Sequence, residues 1–160
     1  MILKLSLDLP EDKAYVRTTR LLSRTLLEDL GARPGDVDDI EVIVSELCTN
    51  VVRHAHSDAG RYHVTLEYYH GKVVITVEDT GGGFSPAVVP APGTRRVDPE
   101  AHGGERIGGF GLPLIEAISD RLEFRATQAT EPHGLTARAE KAFGYQSRGA
   151  RDRVEEMDNG

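Results

Sequence analysis

The sequence is poor in cysteine, with Cys48 as the single thiol among 160 residues. One thiol cannot form a disulfide within the chain, so a disulfide-stabilised secreted scaffold is excluded. Cys48 falls on the apolar side of a segment with helical periodicity, where we expect it to pack as a small buried hydrophobic residue. This cysteine usage is consistent with a reducing, cytoplasmic environment.

Long apolar runs and an excess of basic charge are also missing. No run approaches the roughly 20 residues that a membrane-spanning helix needs. The first residues, MILKLSLDLPED, lack the basic region and cleavage pattern of a signal peptide. We therefore expect no membrane association. The formal net charge of −7 disfavours direct contact with a nucleic acid, which needs a basic face, but it leaves room for a local pocket that binds a small anion.

The hydrophobic periodicity predicts a strand, two helices, a hairpin, a long loop, a short helix and a closing hairpin. Pro10 is expected to open the first helix and Gly31 to end it. This order predicts an α+β two-layer sandwich, with a mixed, mostly antiparallel β-sheet and three helices on one face. We predict one domain over residues 1–143 and a flexible polar tail over residues 144–160.

The segment SELCTNVVRHA contains an unusual ladder of polar residues. Its apolar residues cover about half of the circumference of a helix at 100° per residue. Glu46, Asn50 and His54 are spaced four residues apart, along one edge of that apolar face. A glutamate there can take a proton from an attacking hydroxyl, and an asparagine carbonyl oxygen suits Mg²⁺. A solvated helix edge would show the same residue types, so this pattern alone leaves both interpretations open.

Two glycine-rich stretches border the long loop. Asp79 precedes Gly81 and Gly83 after a strand, and Gly109 and Gly111 precede a helix. Glycines let a backbone approach a ligand closely, and a helix N-terminus attracts phosphate. An aspartate can accept a hydrogen bond from the exocyclic amine of adenine. Each stretch alone is more typical of an ordinary turn or helix start than of a nucleotide site.

Together, these stretches resemble the three ATP-binding boxes of the GHKL superfamily of ATPases and kinases, whose domain is called the Bergerat fold. ELCTN at residues 46–50 matches the N-box, DTGGGF at residues 79–84 matches the G1 box, and GFGLPLI at residues 109–115 matches the G2 box. The order of the boxes and the strands between them agree as well. The resemblance covers roughly residues 1–143 and implies a GHKL-type ATP-binding domain.

Within the superfamily, VSELCTNVVRHA is similar to the N-box of bacterial anti-sigma-factor serine kinases. Histidine kinases share the ATP-binding boxes but carry a phosphorylated histidine on a separate dimerisation helix. The first predicted helix here, over residues 11–30, contains no histidine. The likeness therefore favours the serine kinases.

The resemblance implies a role for each matched residue. Glu46 is implied as the general base, Asn50 as the Mg²⁺ ligand, and Asp79 as the carboxylate that specifies adenine. The other implied nucleotide contacts are Gly81 and Gly83 at the adenine pocket, Gly109, Gly111 and Leu112 at the phosphates beneath a lid at about residues 84–108, Thr136 beside the aspartate, and Arg53 and Arg106 at a phosphate. For the two arginines, a solvated surface position is the alternative.

The resemblance also implies an activity and partners. It implies a cytoplasmic bacterial serine-protein kinase that uses ATP and Mg²⁺, forms a homodimer, sequesters a sigma factor and phosphorylates an anti-anti-sigma antagonist of the STAS type on serine. One alternative is a nucleotide-gated regulatory binding module of the same fold with little or no kinase activity. Another is an ATPase of this fold outside sigma regulation. Glu46 favours catalysis, because a module that only binds needs no base.

Overall fold

The structure of the protein is a computed structural model that describes residues 1–54, 60–79, 111–127 and 134–146. The described elements are, in chain order, β1 (Leu3–Pro10), α1 (Lys13–Asp29), α2 (Pro34–His54), β2 (Arg61–Tyr69), β3 (Lys72–Asp79), α3 (Gly111–Ile118), β4 (Arg121–Thr127) and β5 (Gly134–Ala142). The predicted order of elements and the α+β class are confirmed. Over these four ranges, no helix has the length and hydropathy that crossing a membrane requires.

The five strands form one sheet in the order β1-β2-β3-β5-β4, and each neighbouring pair is antiparallel. The sheet that we predicted to be mixed is thus antiparallel throughout its described strands. One row of apolar side chains crosses all five strands in register: Leu5, Leu66, Ile75, Ala139 and Leu122. Side chains alternate between the two faces of a strand, so this row defines an inner face toward the helices and leaves an outer face on the other side.

Helix α1 begins at a side-chain cap rather than at the proline. Asp12 is the N-cap, and its carboxylate accepts a hydrogen bond from the backbone N–H of Ala14 at 2.8 Å. Pro10 instead ends β1, which is an edge strand and therefore tolerates a residue without an N–H. The buried residues of α1 recur at helical spacing: Val16, Thr19, Ser23 and Leu27.

Helix α2 is the central helix of the domain, and it contacts α1, α3, β3 and β5. Its buried apolar residues are Val37, Ile40, Ile43, Val44, Leu47, Cys48 and Val51. Cys48 is fully buried, as predicted, and burial raises the pKa of its thiol to about 12. The thiol therefore stays protonated at neutral pH and packs as a small hydrophobic group.

Residues 143–146 continue beyond β5 and pack onto the turn between α1 and α2. The backbone N–H of Gly144 donates to the Asp36 carboxylate at 2.8 Å, and the N–H of Gln146 donates to the carbonyl of Gly31 at 2.8 Å. The structure therefore includes the first three residues of the predicted tail in the domain. Asp36 lies inside the first turn of α2. Residues 147–160 lie outside the described residues.

Candidate functional site

Glu46 and Asn50 lie one turn apart on α2, at the border between its buried face and its surface. Both side chains are partly buried, whereas Leu47 and Cys48 beside them are almost inaccessible. Residues four apart on a helix share one face, so the carboxylate and the amide project from the same side of α2. His54, the third residue of the predicted ladder, is the last residue of the helix.

The side-chain amide of Asn50 contains a buried donor. Its Nδ2 atom is inaccessible to solvent, and it donates no hydrogen bond to an acceptor in the described part of the chain. A buried polar group without a partner costs about 1–3 kcal/mol, and in native proteins such groups are usually satisfied by water or by a ligand. A bound group with acceptor oxygens would therefore complete the hydrogen bonding of this amide.

Asp79 ends β3 on the inner face of the sheet. It is 3% exposed, and no other acidic side chain in the described ranges is buried. The backbone N–H of Leu135 on β5 donates to Asp79 Oδ1 at 3.4 Å. A carboxylate removed from water needs such donors, and a backbone donor within a sheet also restricts its orientation. Asp79 is therefore an oriented acceptor at the end of the strand.

Tyr62 on β2 lies directly opposite Asp79 in the antiparallel register. Its ring is buried, and its hydroxyl lies against the thiol of Cys48 without a well-formed hydrogen bond among the described residues. Burial and the neighbouring Cys48 raise the pKa of Tyr62. Sequence reasoning missed this neighbour of Asp79. The two-residue turn at His70 and Gly71 was a usable signal, because a turn of this length sets the hairpin register.

Helix α3 begins at Gly111 and supplies the segment that matches the G2 box. Leu112 is half-buried against the core and Ile115 is fully buried, so the apolar side of this short helix is fixed. Pro113 lies in the first turn, where a missing N–H is tolerated. Since α3 packs against α2, the elements that match the N-box and the G2 box are neighbours in the fold.

The other predicted site residues divide into two groups. Arg53, three residues after Asn50 on α2, is exposed to solvent. The predicted site residues that lie outside the described residues are Gly81, Gly83, Arg106, Gly109 and the lid at about residues 84–108.

The structure does not bring Thr136 to Asp79. Thr136 is paired with Glu78, and along β5 Leu135 and Ala137 are buried whereas Thr136 is only partly so. Thr136 therefore lies on the outer face of the sheet, and Asp79 on the inner face. Thr136 is therefore not the residue of β5 beside Asp79, because a shift of one position moves a side chain to the opposite face. Its expected contact with adenine stays a prediction.

Comparison with known proteins gives the family. Residues 9–141 match the family model described as the histidine kinase-like ATPase domain. The chain belongs to this family of ATP-binding domains. The predicted membership of the ATPase and kinase superfamily is thereby confirmed.

Individual relatives within the family carry a more specific name. The chain is 28% identical over 126 residues to the serine-protein kinase RsbW of Halalkalibacterium halodurans, which covers 76% of this chain and 75% of that protein. It is 32% identical over 128 residues to the RsbW of Listeria monocytogenes serotype 4a, covering 75% of this chain and 78% of that protein. These relatives are named for the activity that the sequence predicted.

Two solved structures share the fold. The RsbU and RsbW domains of Rv1364c from Mycobacterium tuberculosis match with a TM-score of 0.62 at 21% identity, covering 91% of this chain and 34% of that longer chain. The SiaB–SiaC complex from Pseudomonas aeruginosa matches with a TM-score of 0.60 at 16% identity, covering 85% of this chain and 88% of the other. At these identities the likeness concerns the architecture.

Proposed function

We propose that this protein is a bacterial ATP-dependent serine-protein kinase that also acts as an anti-sigma factor. In this proposal a homodimer sequesters a sigma factor and phosphorylates a STAS-type anti-anti-sigma antagonist on a serine hydroxyl. The observation that carries the proposal is the packing of α2 against β3, with Glu46 and Asn50 on the helix and the buried Asp79 at the end of the strand. The kinase names of the relatives support the same reading.

Asp79 is suited to recognise the adenine base. A carboxylate only accepts hydrogen bonds at neutral pH, so it favours a ring edge that presents an amine. Adenine carries its exocyclic amine where guanine carries a carbonyl oxygen, which a carboxylate repels. The bond from Leu135 holds Asp79 in place, so little reorganisation is needed when the base binds.

Asn50 is suited to the phosphate end of the nucleotide. Bound Mg–ATP supplies the transferable phosphoryl group and neutralises part of its charge. Asn50 offers its amide oxygen as a Mg²⁺ ligand and its buried Nδ2 as a donor to a phosphate oxygen. Within the described ranges, no three histidine, cysteine or acidic side chains are grouped to hold a metal ion. Mg²⁺ that is bound with a nucleotide usually takes phosphate oxygens and water as further ligands, so one protein oxygen from Asn50 would suit it.

Glu46 is suited to be the base. A serine hydroxyl is a weak nucleophile, and a carboxylate within hydrogen-bond reach can take its proton as the phosphoryl group is transferred. Glu46 projects from the same side of α2 as Asn50, and its partial burial leaves it accessible to a partner's serine. Such a base typically contributes about 10²–10⁴-fold to the rate.

The test measures phosphoryl transfer from radiolabelled ATP to partners captured from a bacterial lysate on the full-length protein. Glu46→Gln should lower the transfer rate at least about 100-fold while ATP affinity and partner binding stay near the parent values. Asn50→Ala should weaken Mg²⁺-dependent ATP binding and transfer together. Glu28→Gln, a change at an exposed glutamate of α1, is the matched control and should alter neither property.

Two outcomes would change the proposal. If Glu46→Gln transferred phosphate at the parent rate, Glu46 would not be the base. If the parent bound ATP and partners but transferred phosphate to none of them, the nucleotide-gated binding module would replace the kinase as the better account.

A further inference from the structure

The outer face of the sheet contains a groove along β4 and β5, which is lined mainly by charged side chains, whereas the inner face is apolar. We call it the arginine groove. It has a volume of about 420 Å³ and is lined by Arg121, Glu123, Arg125, Thr136, Arg138 and Glu140. Each of these residues faces another across the strand pair, because the register joins 121 to 140, 123 to 138 and 125 to 136. The pairing of β4 with β5 therefore forms the groove and fixes the distances between its side chains.

Within the groove, the carboxylates are already satisfied by internal cations. Glu123 accepts hydrogen bonds from Arg121 and Arg125, which hold its pKa below the ordinary glutamate value. Glu140 accepts from Arg138 and from Lys72, with the same effect on its pKa. Both carboxylates are therefore ionised at neutral pH and carry negative charge beside the arginines.

The local charge of this region is positive on an acidic protein. Four cations, the three arginines of the groove and Lys72, surround the two glutamates. Among the described strand residues of the outer face, the next carboxylate is Glu78, whose position in the register is opposite Thr136, and with it the cations still outnumber the carboxylates by four to three. The whole chain carries a formal net charge of −7. A positive region on such a chain selects acidic ligands by charge complementarity.

The arginines retain donors for a ligand. A guanidinium has five N–H donors in a planar fork that matches a carboxylate. The Arg125 side chain is 75% exposed and binds Glu123 through one terminal nitrogen. Arg121 is 60% exposed and binds Glu123 through Nε and one terminal nitrogen. Both therefore present N–H groups to solvent at a spacing of four residues along the strand.

The strand that carries these two arginines is also an edge of the sheet. Among the described strands, β4 has β5 on one side and no strand on the other. An antiparallel edge offers alternating N–H and C=O groups to which an extended peptide can pair. Seven residues of strand span about 23 Å, which is enough for several backbone hydrogen bonds.

We propose that β4 and the arginine groove bind an extended acidic segment of a partner protein, which adds to the sheet as a further strand. Two carboxylates of the segment, four residues apart, lie opposite Arg121 and Arg125. The residue midway between them lies opposite Glu123 and must not be acidic. This site is on the face away from Asp79, so it docks a partner independently of the nucleotide.

The experiment measures fluorescence anisotropy of labelled heptapeptides titrated with the full-length protein. The probe peptide has glutamate at its second and sixth positions and threonine at its fourth. It should bind saturably, whereas the same peptide with lysine at both acidic positions, or with a third glutamate at the fourth position, should bind at least about 10-fold more weakly. Methylation of the backbone nitrogens that face the sheet should also weaken binding about 10-fold or more, because it removes the pairing with the edge.

Variants of the protein localise the site. Arg121→Gln and Arg125→Gln should each weaken probe binding about 10-fold. The matched control is Arg61→Gln, which changes an arginine of the same sheet whose partner is Asp8. This variant should bind as the parent does. Thermal unfolding reports whether each variant is folded, and the peptide changes test the proposal even if one variant is not.

Three results would overturn the proposal. The first is the absence of saturable binding by the probe peptide. The second is equal binding of the backbone-methylated peptide, which would mean that the charges attract anions without strand addition. The third is equal loss in Arg61→Gln and Arg125→Gln, which would place binding outside the groove. In the first and third cases, the edge arginines would serve only to protect the strand from aggregation, as charged residues on edges commonly do.

Discussion

The acidic side chains on the two faces of the sheet differ in burial and in the groups that donate hydrogen bonds to them. On the inner face, Asp79 is buried and receives a backbone N–H from β5. On the outer face, Glu123 and Glu140 are partly exposed and are held by arginine and lysine side chains. A backbone donor fixes the direction in which a carboxylate points, whereas flexible cations only balance its charge. The inner face is therefore suited to recognise a ligand through a directed hydrogen bond. The outer face is suited to attract a charged ligand.

The largest expected effect concerns the inner carboxylate. Asp79→Asn should weaken ATP binding at least about 100-fold, because the new amide presents a donor to the adenine amine and leaves buried polar groups unpaired. Isothermal titration calorimetry on the folded variant measures this loss. Glu140→Gln on the outer face is the matched control and should leave ATP affinity within about 2-fold of the parent. A folded Asp79→Asn protein with parental ATP affinity would refute the adenine assignment and remove the contrast between the faces.

Two lysines test the same contrast through stability. Lys141 Nζ donates to the carbonyl of Ile118 at the end of α3, at 2.7 Å, and lies 3.0 Å from a carboxylate oxygen of Asp39. It is 16% exposed. Lys72 is 45% exposed and reaches Glu140 at 3.3 Å. Lys141→Met should lower the free energy of unfolding by about 1–3 kcal/mol, and Lys72→Met by less than about 0.5 kcal/mol.

Urea unfolding of both lysine variants is the measurement. Equal losses would mean that the helix C-terminus gains nothing from the Lys141 ammonium. A loss larger at Lys72 than at Lys141 would reverse the ranking of the two faces.

The fold was predictable because most of its signals are local. The strands β2 and β3 were expected from alternation and from a two-residue turn, and the structure has them in that register. The start of α1 was not, since proline is tolerated both in the first turn of a helix and at the end of an edge strand. Only the folded edge strand shows which position Pro10 takes, and the cap is then supplied by Asp12.

The site was predictable only in part, and the reason is distance along the chain. Motif spacing pointed to Glu46, Asn50 and Asp79, whose functional roles stay predictions. The neighbour of Asp79 on β5 was missed because β3 and β5 are separated by a long loop, a helix and β4, so no local turn sets their register. The sequence therefore predicted Thr136 beside Asp79, whereas the structure has Leu135, the preceding residue, in contact with it.

Two tyrosines on the inner face of β2 give a smaller and more specific test. The Tyr68 hydroxyl donates to Ser23 Oγ at 3.3 Å, whereas the Tyr62 hydroxyl is buried without a well-formed hydrogen bond among the described residues. Tyr68→Phe should cost about 0.5–1.5 kcal/mol of stability, while Tyr62→Phe should be neutral or slightly stabilising. Chemical denaturation of both variants measures the difference. A larger cost at Tyr62 would show that its contact with the Cys48 thiol is a stabilising hydrogen bond.

The smallest expected effect is the acid sensitivity of the outer face. The pKa of Glu140 is lowered chiefly by its hydrogen bond from Arg138, with a further contribution from Lys72. A carboxyl whose pKa is lower in the folded state contributes stability above its unfolded value, near 4.5, and loses that contribution as the pH falls through the folded pKa. Urea midpoints should therefore decrease below about pH 5, and Glu140→Gln should flatten this decrease. Because these ion pairs are partly exposed, added salt should flatten it as well. A pH dependence unchanged both by Glu140→Gln and by salt would mean that the acid sensitivity comes from groups other than those of the outer face.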